Sequence, residues 1–239
     1  MIIYAAAKVN LCLDILQKDR NGYHQIQTVL HELPNLRNRI EIRESKEKEQ
    51  KSTAENLANR AIHLLKKAYG TVQAPLPEVT LSIERNILPG SGLGGESSNA
   101  AAVLKALNQL WKLNLSRTQL LELAAQLGMD VPFFIIGGTA LATHYGELIT
   151  ALPSPGDLHI SVNQLRSKSK NKTQEAYNSL NLAKCGQNKH KTDRLVEILK
   201  AGDKDAIKKE LASLIHNDFS STVHLCGSGP STFTLEIAS

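Results

Sequence analysis

The sequence predicts an α+β fold. Strands with apolar/polar alternation open the chain, helical patterns are interspersed among later strands without strict alternation, and a glycine-rich loop runs straight into an Ala/Leu-rich segment. At 239 residues the chain can form one large or two small domains with a sizeable core. Its 41% hydrophobic and 21% charged content excludes a disordered chain. No apolar run approaches the ~20 residues of a membrane span, and the first residues lack a signal peptide's apolar stretch, so no membrane partner is expected. Cys12, Cys185 and Cys226 are odd in number, far apart and form no C-x-x-C pair. Neither a disulfide framework nor a zinc site is expected from them, and a cytoplasmic location is the default. The net charge of +5 suits an anionic small ligand or a weak nucleic-acid surface. Dispersed basic residues without aromatic interleaving speak against nucleic acid.

Val9, Leu11, Leu13 and Ile15 alternate with Lys8, Asn10, Cys12 and Asp14, predicting a strand with one wet face that sets Lys8 beside Asn10. Asp19-Arg20-Asn21-Gly22 reads as a turn, and Thr28–Leu33 and Leu36–Ile42 as two further strands. The mixed charges from Arg43 to Lys51 read as a solvated loop or strand end. Ser52-x-x-Glu55 has capping-box spacing ahead of the stripe Leu57, Ala61, Leu64, Leu65 and Ala68, with Gly70 at the C-cap. Val79, Leu81 and Ile83 alternate as a strand. Ala100–Leu113 reads as a helix, and Ser116-x-x-Gln119 caps another that ends near Gly128. Phe133–Leu141, with Gly137-Gly138 inside, reads as a buried strand with a bend. Leu158, Ile160 and Val162 mark a strand, and Lys172–Leu180, Thr192–Lys200 and Asp203–Ile215 carry helical patterns. A last strand pair is expected from about Thr222 to Ile237.

Residues 89–99 read Pro89-Gly90-Ser91-Gly92-Leu93-Gly94-Gly95-Glu96-Ser97-Ser98-Asn99. Glycines let a backbone approach a phosphate, and the free amides and dipole of a helix start attract it; Ser97 and Ser98 can cap that helix or add hydroxyl donors. The literal G-x-G-x-x-G match lacks a dinucleotide context, because Arg85 to Pro89 intervene after the strand and the next acid after Glu96 is Glu122. A Walker lysine is missing, as are protein-kinase landmarks. A simple glycine-rich turn entering a helix stays open. Lys8 and Asp130, taken singly, read equally as halves of a structural ion pair or as exposed groups, and Tyr23 and His24 as a surface hairpin. Gly227-Ser228-Gly229 is either a second tight loop backing a phosphate or a hairpin turn. His31, His63, His144, His159, His190, His216 and His224 show no metal-ligand spacing and read as structural or exposed.

The string Pro89-x-x-Gly92-Leu93-Gly94-Gly95-x-Ser97-Ser98-x-Ala100-Ala101 resembles the phosphate loop of the GHMP kinases. Ala7-Lys8-Val9-Asn10-Leu11, Asn21-Gly22-Tyr23-His24, Leu127-Gly128-Met129-Asp130-Val131-Pro132-Phe133-Phe134 and Gly227-Ser228-Gly229-Pro230-Ser231-Thr232-Phe233 are similar, in the same order, to the branch acting on 4-diphosphocytidyl-2-C-methyl-D-erythritol. The resemblance implies a GHMP kinase fold. Residues 1–150 would form a ribosomal-S5-domain-2-like, ATP-binding part, and residues 151–239 a shortened ferredoxin-like part. It implies ATP with Mg²⁺, and phosphorylation of the C2 hydroxyl of that cytidyl substrate, by a monomer or homodimer. Asp130 would be the catalytic acid/base and Lys8 its cationic partner. Leu88, Pro89, Gly90, Ser91, Gly92, Leu93, Gly94, Gly95, Glu96, Ser97 and Ser98 would hold the triphosphate, and Asn56 would lie by the adenine. Asn10, Tyr23, His24, Thr173 and Tyr177 would serve the substrate, with Tyr23 and His24 contacting the cytosine and Tyr177 stacked on its other face.

Three departures from the family pattern stand out. Glu96 occupies a loop position that is usually glycine, and is expected either to point away as an acid at a helix start or to help hold Mg²⁺. The chain is trimmed between His31 and Asn56 and between Phe219 and Leu225, which could open the C-terminal part or expose an edge strand for dimerisation. Thr143-His144-Tyr145-Gly146-Glu147 replaces a more glycine-rich turn.

Overall fold

A computed structural model describes residues 1–45, 56–71, 74–156, 158–167, 169, 172–220 and 222–237. The element order is β1 (Ile2–Lys18), β2 (His24–Ser45), α1 (Leu57–Tyr69), β3 (Glu78–Glu84), α2 (Gly95–Leu110), α3 (Arg117–Leu127), α4 (Val131–Ile136), β4 (Thr139–His144), β5 (Leu148–Leu152), β6 (Leu158–Asn163), α5 (Lys172–Asn178), α6 (Lys189–Ala201), α7 (Lys204–Leu214), β7 (His216–Asn217) and β8 (Thr232–Ile237). One sheet has the order β5-β4-β2-β1-β7 with β3 also on β2, and β6 and β8 form a second, two-stranded sheet. The mixture is the expected α+β class. Among the described residues no helix is long and apolar enough to cross a membrane.

The chain forms two compact units that exchange segments. One comprises Met1–Ala7, Pro34–Ile87 and Gly94–Ile135; the other comprises Lys8–Leu33, Leu88–Leu93 and Ile136–Ser239. In the first, α2 is the central element. Ser98 through Leu104, Ala106 and Leu107 are buried, because small Ala side chains let α1 and α3 pack against it. Ser116 starts α3 with a reciprocal capping box: its Oγ accepts from Gln119 N at 3.3 Å while Gln119 Oε1 accepts from Ser116 N at 2.9 Å. The N-cap of α1 is Asn56, whose side chain accepts from Asn59 N at 2.8 Å; the expected Ser52–Glu55 box lies outside the described residues.

In the second unit β4 runs antiparallel to the N-terminal half of β2, β5 antiparallel to β4, and β7 parallel to β1. The face of β1 expected to be wet is buried: Lys8 is 3% exposed, Asn10 5%, and Cys12 and Asp14 0%. The loop at Gly227 covers Lys8 and Asn10, and α6 and β7 cover Asp14. Their polar atoms find partners there rather than water.

Other expectations are corrected. The two strands expected around Pro34 are one, β2, in which Pro34 falls after the stretch paired with β4 and before that paired with β3. Phe133–Leu141 is not one strand. Its first half is α4, the consecutive glycines Gly137 and Gly138 (φ 74° and 67°) end that helix, and β4 takes the rest. The helix expected from Ala100 begins at Gly95, so Ser97 and Ser98 lie in its first turn and Gly94 is the N-cap. The expected pair near the C-terminus is a single strand, β8, paired with β6 and touched by one isolated bridge, Leu225 to Thr232.

Candidate active site

The first half of the glycine loop, residues 88–93, is pressed against the turn Cys226–Ser231. A Cβ at Gly92 would lie 1.8 Å from the Cys226 carbonyl oxygen, and one at Gly229 would lie 2.0 Å from the Ser91 carbonyl oxygen. Backbone therefore meets backbone, and Ser231 N donates to Ser91 O at 3.3 Å. Gly227-Ser228-Gly229 thus lies in a turn packed against the first glycine turn. Asn217, absent from the expected set, holds this second turn: its buried Nδ2 donates to Leu225 O at 3.1 Å and Gly227 O at 2.9 Å.

Lys8 and Asn10 end beside the same turn. A Cβ at Gly227 would be 3.1 Å from Lys8 Nζ and 3.3 Å from Asn10 Oδ1. Lys8 Nζ donates to Asn10 Oδ1 at 2.8 Å, Asn10 Nδ2 to Thr28 Oγ1 at 2.8 Å, and Thr28 Oγ1 onward to Cys12 O at 2.5 Å. Lys8 N donates to Leu93 O at 3.0 Å, so the strand that carries the ammonium also carries the loop. Asn10 thus holds the Lys8 side chain through this hydrogen bond.

The second half of the loop opens α2. Gly94 at φ 74° is the N-cap, and no side chain caps the helix; its first amides keep their donors for an anion. Glu96 is engaged by Arg85, with Nε 3.5 Å from Oε1. Asn38, also missed from sequence, braces the approach to the loop. Its Oδ1 accepts from Asn86 N and Ile87 N, both at 2.9 Å, and its Nδ2 donates to Asn99 Oδ1 at 2.9 Å. Asp130 is half-buried between the C-cap of α3, Gly128, and the first residue of α4. Asn56 caps α1, as described above.

The aromatic residues are arranged differently from expectation. His24 and Tyr177 stack directly on each other, with ring centroids 5.0 Å apart and an interplanar angle of 22°. A planar base between two rings needs about 7 Å, twice the ~3.5 Å of carbon contact. Tyr177 also meets Phe219 edge-on at 5.0 Å and packs against the Leu13, Ile15 and Ile26 cluster. Tyr23 is exposed and packs instead on Tyr145, at 5.2 Å. Thr173 lies by the second glycine turn, its Oγ1 accepting from Ser228 Oγ at 3.5 Å. Burial, reinforced by Lys18, holds His24 below its ordinary pKa, so it is neutral at pH 7 and offers one donor and one acceptor.

A buried charged pair not legible in the sequence lies further along β1. His216 Nε2 meets Asp14 Oδ1 at 2.9 Å, and Thr192 Oγ1 donates to Asp14 Oδ2 at 2.5 Å. Burial opposes the imidazolium and is the largest single influence, but the hydrogen bonds of Asp14, Cys12 and the Leu214 carbonyl together outweigh it and raise the His216 pKa to about 10. Among the described residues no group of three His, Cys, Asp or Glu could hold a metal ion.

Residues 56–138 match the family described as GHMP kinases N terminal domain. A 4-diphosphocytidyl-2-C-methyl-D-erythritol kinase of Caldicellulosiruptor saccharolyticus is 35% identical over 224 residues, covering 90% of this chain and 74% of that protein. A crystal structure of 4-(cytidine 5'-diphospho)-2C-methyl-D-erythritol kinase superposes with a TM-score of 0.70 at 27% identity, covering 98% of this chain and 89% of the other. Homoserine kinase from Cytophaga hutchinsonii has a TM-score of 0.64 at 17% identity, covering 98% of this chain and 85% of the other, and shares the fold alone. On this similarity along nine-tenths of its length, the chain belongs to the 4-diphosphocytidyl-2-C-methyl-D-erythritol kinase family, within the GHMP kinases.

Proposed function

We propose that the chain transfers the γ-phosphoryl of MgATP to the C2 hydroxyl of 4-diphosphocytidyl-2-C-methyl-D-erythritol, giving its 2-phosphate and ADP. This is the kinase step of the non-mevalonate, methylerythritol phosphate route to isoprenoid precursors. The observation that carries it is the pair of interlocked glycine turns with the Lys8 ammonium beside them, in a chain of this family. Phosphoryl transfer asks for positioning and charge neutralisation more than for covalent chemistry. The uncapped start of α2 and the glycine turns would bind the triphosphate, and Asn56, at the start of α1, would lie by the adenine. Lys8, held by Asn10, would offset charge on the transferring group. Asp130 would accept the proton of the attacking hydroxyl. Mg²⁺ supplies further charge neutralisation on the phosphates. The Arg85 contact supports reading Glu96 as an acid at a helix start and not as a ligand for that ion. Tyr23, His24 and Tyr177 would read the cytosine, the base entering against His24 as Tyr177 turns aside, with Thr173 near the diphosphate.

A homoserine or mevalonate kinase would share the loop, but a small aliphatic alcohol needs no aromatic group with a neutral imidazole. A non-catalytic nucleotide binder would need neither Lys8 nor Asp130. The protein is taken to work in the cytoplasm, as a monomer or homodimer. The test is ³¹P NMR of the chain with MgATP and the cytidyl substrate: a new phosphomonoester signal growing in step with ADP supports the reading. ATP consumed without that signal, or no change at all, refutes it.

A further inference from the structure

The turn between β4 and β5 carries a residue, Tyr145, whose ring and hydroxyl both reach the turn that bears Tyr23. Tyr145 is half-buried, and its ring lies 5.2 Å from the ring of exposed Tyr23. Its hydroxyl accepts from Asn21 Nδ2 at 2.7 Å and donates to Asp19 Oδ2 at 2.8 Å, which uses one lone pair and its only proton. Asp19 and Asn21 belong to the turn that presents Tyr23 and His24. Asp19 N donates to Tyr23 O at 2.8 Å, Tyr23 N donates to Asn21 Oδ1 at 3.0 Å, and Gln25 Nε2 donates to both Asp19 oxygens at 3.1 and 3.2 Å.

The platform under Tyr145 is itself fixed. Glu147 accepts from Tyr145 N at 2.9 Å and contacts His144 Nδ1 through its other oxygen. His144 sits at φ 62°, a left-handed conformation that a non-glycine residue keeps only where its surroundings enforce it. Its ring lies against that of Tyr145, with centroids 3.8 Å apart. A strained, doubly anchored turn thus ends in one tyrosine that ties down the neighbouring turn by ring and hydroxyl together.

We infer that Tyr145 is a positioning residue for pyrimidine recognition, fixing the Asp19–Tyr23 turn so that Tyr23 and His24 meet the base in one geometry. The inference rests on the proposed cytidyl specificity. The mobile alternative, in which Tyr23 samples many orientations, would lose affinity to ordering on binding.

The experiment titrates CDP and ADP separately into the full chain by calorimetry, for wild type, Tyr145→Phe and Tyr145→Ala. Loss of the ring and both hydrogen bonds in Tyr145→Ala is expected to weaken CDP about tenfold, and loss of the hydrogen bonds alone in Tyr145→Phe about threefold. ADP affinity stays within about twofold in both, a separation that general structural damage would not give. In turnover the KM for the cytidyl substrate rises while kcat holds. Unchanged CDP affinity in Tyr145→Ala, equal weakening of CDP and ADP, or a wild type that does not bind CDP overturns the inference. Should Tyr145→Ala not fold, Tyr145→Phe decides: CDP affinity equal to wild type overturns it. Wild type that binds CDP in a Tyr145-dependent way without phosphorylating the cytidyl substrate removes the kinase reading and leaves this one standing.

Discussion

A methyl group at Gly92 would meet the Cys226 carbonyl oxygen at 1.8 Å, whereas one at Gly138 would meet nothing within 4 Å, although both glycines have positive φ. The two positions separate conformational strain from steric conflict. Gly138→Ala should cost about 1–2 kcal/mol for the left-handed backbone alone. Gly92→Ala adds overpacking of about 1–3 kcal/mol and should shift the loop, raising the KM for ATP as well. Urea unfolding of the two variants, with ATP kinetics alongside, reads both effects. Glu96, engaged by Arg85 at the start of α2, is expected to be dispensable for the cation. Glu96→Gly should leave the Mg²⁺ dependence of turnover unchanged, and a raised Mg²⁺ requirement would make it a ligand. Lys8, Asn10 and the glycines were singled out in sequence by short contiguous motifs. Asn38 and Asn217 were not: each braces a loop about ten or more residues away in sequence, and an asparagine on a strand gives no sign of which backbone groups it will reach.

Whole elements were legible where capping and periodicity agreed. The Ser116 box and Gly128 mark both ends of α3 from sequence alone. The same logic failed at Phe133–Leu141, where consecutive apolar residues carry neither period and only the left-handed glycines divide helix from strand. It failed also on β1, where alternation was real but both faces are covered, so polarity marked the interior network of Lys8, Asn10 and Asp14 and not a wet surface. β5 was missed because its mostly exposed Leu148–Leu152 segment alternates weakly. The stacking of Tyr177 on His24 depends on how α5 packs over the Leu13, Ile15 and Ile26 cluster, which no local pattern encodes.

At the scale of the molecule, two buried histidines with opposite behaviour shape stability against pH. The His216 pKa, pushed down by burial but raised to about 10 by Asp14, Cys12 and the Leu214 carbonyl together, makes a contribution fully present below the unfolded value of about 6.5. It is lost as pH climbs from there through 10. Burial lowers the His31 pKa to about 4, and its contribution is present above about 6.5 and lost as pH falls toward 4. Stability should therefore peak near neutrality, declining by at most about 1.4 kcal/mol per pH unit on either side from each group. Urea midpoints across that range check the dome, and His216→Asn should flatten its alkaline side while costing about 3–5 kcal/mol at neutral pH by leaving Asp14 buried without its partner. The central claim is catalytic, and ADP release measured with MgATP and each of three alcohols tests it most directly: the cytidyl-diphosphate methylerythritol, homoserine and mevalonate, wild type beside Asp130→Ala. The expected result is turnover with the cytidyl substrate alone, lower by ~10²–10⁴ in the variant, the range a general acid–base group contributes. Turnover on another alcohol, on none, or an Asp130→Ala variant as fast as wild type would contradict the account.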